Sequence, residues 1–165
     1  MSKLVQPTKA LQSWRLGMYE GRPRTKALQK EFEMLMRVNP SYVIPGRHEL
    51  STENGESFNQ FKARVGNFVS KQMKRLKEDP TRVIFNFTHQ TPTVFVKAWT
   101  KAGNPRNFAV DLDVMTAPNK DIEPGSMWCL WLDGEAWKFS KVDLKAKAEF
   151  LPGIYFVRHG DTEWN

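Results

Sequence analysis

A short apolar segment near the end of the chain runs directly into a loop with an unusual set of polar residues. Residues 153–157 read Gly-Ile-Tyr-Phe-Val, and the sequence continues as Arg158-His159-Gly160-Asp161-Thr162-Glu163-Trp164-Asn165. An apolar run of this length predicts a buried β-strand. An arginine fork, an imidazole, a glycine, a hydroxyl and an amide are the groups that can hold a phosphate and attack it. The segment therefore predicts a phosphate site just beyond this strand.

A second histidine follows a second predicted strand. Residues 82–88 read Arg-Val-Ile-Phe-Asn-Phe-Thr, which predicts a buried strand that ends next to His89. Open α/β sheets place their sites beyond the carboxyl ends of their strands. We therefore expect His89 and His159 to meet in one pocket.

Helices are predicted between these strands. Apolar residues at helical spacing predict a helix over 24–38, which Asn39-Pro40 ends. Ser57 with Gln60 forms a capping-box pattern at the start of a long helix that ends near residue 79. Pro92 suits the first turn of a third helix, which runs to about residue 102.

The remaining residues predict a hairpin between irregular segments. Residues 127–132 and 137–142 are expected to pair through a turn at Asp133-Gly134. Residues 103–125 are predicted to be irregular, and residues 143–152 to form a connector. A length of 165 residues fits a single domain over 1–165.

The net charge of +7 favours acidic ligands such as phosphate esters, nucleotides or nucleic acid. A solvated basic surface with no ligand is the alternative reading. The densest basic stretch, residues 71–77, lies on a predicted helix with little aromatic interleaving. Nucleic acid is therefore the less favoured partner, and a small phosphorylated substrate the more favoured one.

Several other classes of protein are not supported by the sequence. No apolar stretch approaches the roughly 18 residues of a membrane span, and the N-terminus has no apolar signal-peptide core. The single cysteine, Cys129, cannot form an intrachain disulfide, so a cytoplasmic location is expected. No zinc spacing or Walker loop occurs, and neither a metal nor a cofactor is expected.

The motif Arg158-His159-Gly160-x-Thr162-x-x-Asn165 resembles the signature of the histidine phosphatase superfamily, which includes phosphoglycerate mutase-like and α-ribazole phosphatase-like proteins. Three further segments are similar to parts of this family: residues 11–21, Gly55-Glu56-Ser57, and Thr88-His89. The resemblance covers most of the chain. It implies a three-layer α/β sandwich with a mostly parallel central sheet flanked by helices.

The order of these segments differs from that of the family. The family begins with the Arg-His-Gly strand, whereas here residues 153–165 carry it at the end. The resemblance therefore implies a circular permutation in which residues 143–152 join the family's usual termini. It also implies that the helix and strand which normally follow the asparagine, and which supply a second phosphate-binding arginine, are absent or truncated. Ser13 stands where the family has its acid.

The resemblance also implies roles for individual residues. His159 would attack phosphorus and form a phosphohistidine, Arg158 would bind the phosphate oxygens, and a protonated His89 would stabilise the transition state. Phosphate binding would be shared by Arg158, Gly160, Thr162 and Asn165. Glu56 has two readings, as a carboxylate at a helix N-terminus or as a proton donor.

The function expected from these roles is metal-independent hydrolysis of phosphomonoesters. The alternative is a phosphate-binding or structural module of the same fold with weak or no catalysis, which Ser13 and the absent segment favour. An absent strand would leave a free sheet edge, and such edges invite pairing. A homo-oligomer or a partner that completes the sheet is therefore also expected.

Overall fold

The computed structural model describes residues 8–23, 25–46, 53–117, 119–145 and 149–159. The elements in chain order are two short 3₁₀ turns at Lys9–Leu11 and Gly17–Tyr19, helices α1 (Lys26–Val38) and α2 (Phe58–Glu78), strand β1 (Val83–Thr88), helices α3 (Gln90–Lys101) and α4 (Leu112–Thr116), and strands β2 (Met127–Asp133), β3 (Ala136–Lys141) and β4 (Gly153–Arg158). None of the helices in these ranges has the length and apolar character needed to cross a membrane.

The two long helices begin where their capping residues predict. The Thr25 hydroxyl accepts a hydrogen bond from the Leu28 amide at the start of α1. At the start of α2, Ser57 and Gln60 each bond the other's backbone amide, which confirms the capping box. Both helices end beside an Asn-Pro or Asp-Pro pair, because proline disfavours helical geometry in the residue before it.

Within the described residues, the sheet has four strands in the order β1-β4-β2-β3. Only β1 and β4 pair in parallel, whereas β2 is antiparallel to both β3 and β4. The expectation of a mostly parallel sheet is therefore wrong for the described strands. The physical reason is the hairpin at Asp133-Gly134, which reverses the chain and places two antiparallel pairs beside the single parallel pair.

The four helices contribute to one hydrophobic core on one face of the sheet. The core includes Met36 of α1, Phe61 of α2, Phe95 of α3 and Met115 of α4, together with Phe156 of β4. On the opposite face, Tyr155, Cys129 and Val142 form a small second cluster. The described residues thus form two layers rather than the expected three, since no described helix contributes to the second cluster.

Helix α4 lies inside the segment that was predicted to be irregular. Asp111 caps it by accepting a hydrogen bond from the Asp113 amide, and Leu112 and Met115 are buried. Five residues give too little periodicity for the pattern to be recognised in a sequence.

Candidate active site

The parallel pair β1–β4 brings the two predicted histidines together. Thr88 and Arg158, the last residues of β1 and β4, lie opposite each other, and the residue that follows each of them is a histidine. The His159 amide donates a hydrogen bond to the Thr88 carbonyl oxygen at 3.1 Å, which extends the ladder by one residue. The sequence predicted that His89 and His159 lie together beyond the carboxyl ends of two strands, and the structure has them there.

The two imidazole rings are in direct contact. His159 Nε2 lies 2.8 Å from His89 Nδ1 and 3.4 Å from His89 Nε2. The ring centroids are 4.2 Å apart, and the rings are nearly perpendicular. A hydrogen bond between two ring nitrogens needs one donor and one acceptor, so one nitrogen presents a lone pair. An imidazole lone pair is the nucleophile that an attack on phosphorus needs.

His89 is held in its neutral form by its surroundings. Burial lowers the pKa of His89 below its usual value, and electrostatic interactions with His159 and with Arg158 lower it further. His89 is also the N-cap of α3, where the positive end of the helix dipole disfavours an extra proton. In the free protein, therefore, His89 is an uncharged imidazole at neutral pH.

This lowered pKa predicts a dependence of stability on pH. Below the ordinary histidine pKa of 6.5, the unfolded chain takes up a proton that folded His89 does not. We therefore expect the free energy of unfolding to fall as the pH drops through 6.5 toward the lowered value. Urea unfolding at a series of pH values should show a smaller decrease for His89→Asn than for the unaltered protein. The control is His48→Asn, at the remaining histidine of the sequence. Equal dependences of the free energy of unfolding on pH in all three proteins would contradict the prediction.

Arg158 lies on the last position of β4 and is partly used by the fold. Its Nη1 donates to the Ile122 carbonyl oxygen at 2.6 Å. Its backbone is bonded on both sides, to Ser126 and to Gly125. Arg158 is half-buried and directly precedes His159.

Gly160, Thr162 and Asn165, the other predicted phosphate-binding residues, lie outside the described residues. Their phosphate-binding roles stay predictions. Within the described ranges, no group of three histidine, cysteine, aspartate or glutamate side chains is arranged to hold a metal ion.

Glu56 is buried and forms an ion pair with Arg64. Its carboxylate accepts two hydrogen bonds of 2.6 Å from Arg64, one on each oxygen. The side chains of Glu56 and Arg64 are only 3% and 20% exposed. A carboxylate in this bidentate pair is an acceptor that fixes a guanidinium in place.

Arg64 in turn holds the segment that precedes Trp14. Its guanidinium donates to the carbonyl oxygens of Lys9, Ala10, Gln12 and Ser13. In the same segment, the Leu11 carbonyl accepts a hydrogen bond of 2.7 Å from the Thr88 hydroxyl, next to His89. The buried ion pair therefore positions a segment that is bonded to the end of β1.

Sequence reasoning missed both Arg64 and Thr88. A signal for Arg64 was present, because it is a charged residue beside the apolar stripe of α2. For Thr88 no such signal exists, since its partner is 77 residues away.

A family model described as histidine phosphatase superfamily, branch 1, matches residues 2–118. The chain belongs to the histidine phosphatase superfamily. The matched residues include Glu56, Arg64 and His89, whereas Arg158 and His159 lie beyond them. No curated protein and no solved structure was found to match the chain. The family match and the histidine contact therefore rest partly on different residues, since His159 lies outside the matched segment and His89 lies within it.

Proposed function

We propose that this histidine phosphatase hydrolyses small phosphomonoesters through a phosphohistidine on His159. The observation that carries the proposal is the contact of 2.8 Å between His159 Nε2 and His89 Nδ1 at the ends of two parallel strands. Family membership supports phosphatase or mutase chemistry in general. Hydrolysis is favoured over mutase activity because nothing in the sequence indicates a clamp for a second phosphate.

In the proposed first step, the lone pair of His159 Nε2 attacks phosphorus. A bond forms between nitrogen and phosphorus, the bond from phosphorus to the ester oxygen breaks, and the released alkoxide takes a proton from solvent. In the second step, water attacks phosphorus, the nitrogen–phosphorus bond breaks, and inorganic phosphate leaves with His159 restored. No oxidant or reductant is needed.

The neighbouring side chains would stabilise the charge that is transferred. A bound phosphate dianion favours the protonated form of His89, because an opposite charge raises the pKa of an imidazole. That proton would then be donated to a phosphoryl oxygen in the transition state. Arg158 would bind the phosphoryl oxygens through its planar guanidinium. Substrate must separate the two rings, since their contact leaves no room for a phosphoryl group between them.

Glu56 receives a positioning role in this proposal. Both of its oxygens accept hydrogen bonds from Arg64, which in turn holds the segment before Trp14. Its sequence-based reading as the proton donor is untested, and the mechanism above does not use it.

The test is to incubate the protein with para-nitrophenyl phosphate and follow two signals. We expect release of para-nitrophenol, together with acid-labile phosphate bound to the protein at His159. Release of product with no protein-bound phosphate under rapid quenching would contradict the phosphohistidine. Phosphate binding with neither signal would support the alternative, a phosphate-binding or structural module. Ser13 in place of the family's acid is the observation that favours that alternative.

The permuted order of the chain is a further part of the proposal. Its support is that β4, the last strand, pairs in parallel with β1, whereas the family match ends at residue 118. The cytoplasmic location stays a prediction. Binding of nucleic acid by residues 71–77 also remains to be tested, and it would appear as a steep dependence of affinity on salt.

The exposed side of β1 supports the expectation of a partner that completes the sheet. Among the described strands, β1 pairs only with β4 and therefore lies at an edge. Val83, Phe85 and Phe87 on its outer face are 39%, 42% and 71% exposed. The strand contains neither a charged residue nor a proline, which are the features that usually protect an edge.

We therefore expect the protein to associate, with itself or with another chain, through β1. Sedimentation velocity over a wide range of protein concentration should show self-association, and Phe87→Lys should weaken it because a charge opposes burial of the edge. Val38→Lys, at an exposed apolar position on α1, is the matched control. A monomer at every concentration would exclude the homo-oligomer.

A further inference from the structure

A cavity of about 600 Å³ begins one residue from the histidine pair. Gln90 and Thr91, the first two residues of α3, form part of its wall, and His89 is the N-cap of the same helix. Volumes of roughly 300–1,000 Å³ are typical of sites for organic ligands. The cavity is therefore placed to receive the group that a phosphomonoester carries on its ester oxygen.

The cavity has a rigid aromatic wall. Trp14 contacts Phe32 edge to face with centroids 5.1 Å apart, and Tyr19 contacts Phe32 at 5.7 Å. Trp14 also stacks on Phe58 and Phe61 in the core. Its indole donates a hydrogen bond to the Glu56 carbonyl oxygen at 3.0 Å. The wall is thus formed before any ligand arrives, and a preformed wall binds without a cost for ordering its side chains.

The rest of the lining is mixed, and its uncharged polar residues are Ser13, Gln29, Gln90, Thr91, Thr116 and Asn119. Leu28 of α1, Val94 of α3 and Met115 of α4 complete the apolar part. Among the described lining residues, the charged ones are Glu20 and Arg22, one acid and one base. A second phosphate would call for an excess of cationic groups, which one base beside one acid does not supply. Flat rings gain from edge and face contacts with aromatic side chains.

We propose that this cavity selects phosphomonoesters whose alcohol carries a flat, uncharged ring system, over small aliphatic esters such as three-carbon phosphates. The proposal rests on the proposed function, because it assigns the part of the substrate that lies beside the reacting phosphate. Specificity is then set by the wall of Trp14, Tyr19 and Phe32, at a distance from the atoms that react.

The test uses phosphonates, in which a carbon–phosphorus bond replaces the ester, so that binding is measured without turnover. Propylphosphonate and its naphthyl-substituted derivative are compared by calorimetric titration of the full chain. We expect the naphthyl compound to bind at least about tenfold more tightly, which is the scale of one modest apolar contact. Equal affinities of the two compounds would overturn the proposal.

Two variants locate the effect in the cavity. Leu28→Trp fills the cavity from α1, and Gln29→Trp narrows it from an exposed position that folding tolerates. Both should reduce the preference for the naphthyl compound, whereas Val38→Trp, 82% exposed on the same helix, should keep it. If the preference for the naphthyl compound persists in Gln29→Trp and in a folded Leu28→Trp, the naphthyl ring binds outside this cavity and the proposal is overturned. If the preference is found but no ester is hydrolysed, the proposed function fails and the cavity stands.

Discussion

Alanine in place of His159 is expected to lower the rate of phosphomonoester hydrolysis by about a thousandfold or more and to remove the acid-labile phosphate from the protein. The reason is that no covalent intermediate forms without the attacking nitrogen. The measurement is the steady-state rate of product release, together with the amount of protein-bound phosphate after rapid quenching. A circular dichroism spectrum equal to that of the unaltered protein shows that the variant is folded.

The other two histidines provide controls for this experiment. His89→Asn should slow the reaction by roughly a hundredfold or more, since it removes a donor to the phosphoryl group, but it should leave the site of labelling on His159. His48→Ala should retain both activity and label. Labelling that persists in His159→Ala, or that vanishes in His48→Ala, would contradict the assignment of the nucleophile.

Alanine in place of Arg64 is expected to reduce the free energy of unfolding by about 3–5 kcal/mol. The substitution removes the close counter-ion of the buried Glu56 carboxylate and leaves only Arg15, half exposed and 3.7 Å away, so the charge in the interior is poorly compensated. It also removes the hydrogen bonds to four carbonyl oxygens between Lys9 and Ser13. Urea unfolding at neutral pH gives the difference directly.

Arg82→Ala is the matched control for this prediction. Arg82 also pairs with a carboxylate, that of Asp79 at 2.9 Å, but both side chains are about half exposed. Solvent screens such a pair, so its loss should cost less than about 1 kcal/mol. Equal losses for the two variants would show that burial of the Glu56–Arg64 pair does not matter. A rate that falls in Arg64→Ala while the protein is folded would indicate that the pair also positions the end of β1.

The local elements of the fold were predictable because their signals are local. Helix α2 lies between the caps at Ser57 and Asp79. The strand at Gly153–Arg158 begins with its apolar run and extends one residue beyond it. Helix α4 was missed because five residues contain little more than one turn. The sheet was expected to be mostly parallel because the family resemblance, and not any property of the strands, supplied that expectation.

Part of the candidate site was predictable for a similar reason. His89 and His159 each follow an apolar strand, and the rule for parallel strands was enough to bring them to one edge. The partner of Glu56 was not predictable in the same way, because two readings of a carboxylate near a helix start are equally consistent with its position. The burial of Glu56 and its bidentate contact with Arg64 arise from tertiary packing, and neither is visible in the sequence.

The sequence by itself determined which segments form helices and strands and that two histidines follow two strands, because capping, periodicity and turn chemistry act over a few residues. Only the tertiary structure decided that the His159 and His89 nitrogens lie 2.8 Å apart, that Arg64 neutralises Glu56, and that an aromatic cavity adjoins the pair. The histidine contact joins residues 70 positions apart, and the Glu56–Arg64 pair joins residues 8 positions apart. Their formation depends on packing across the whole domain, which no short segment specifies.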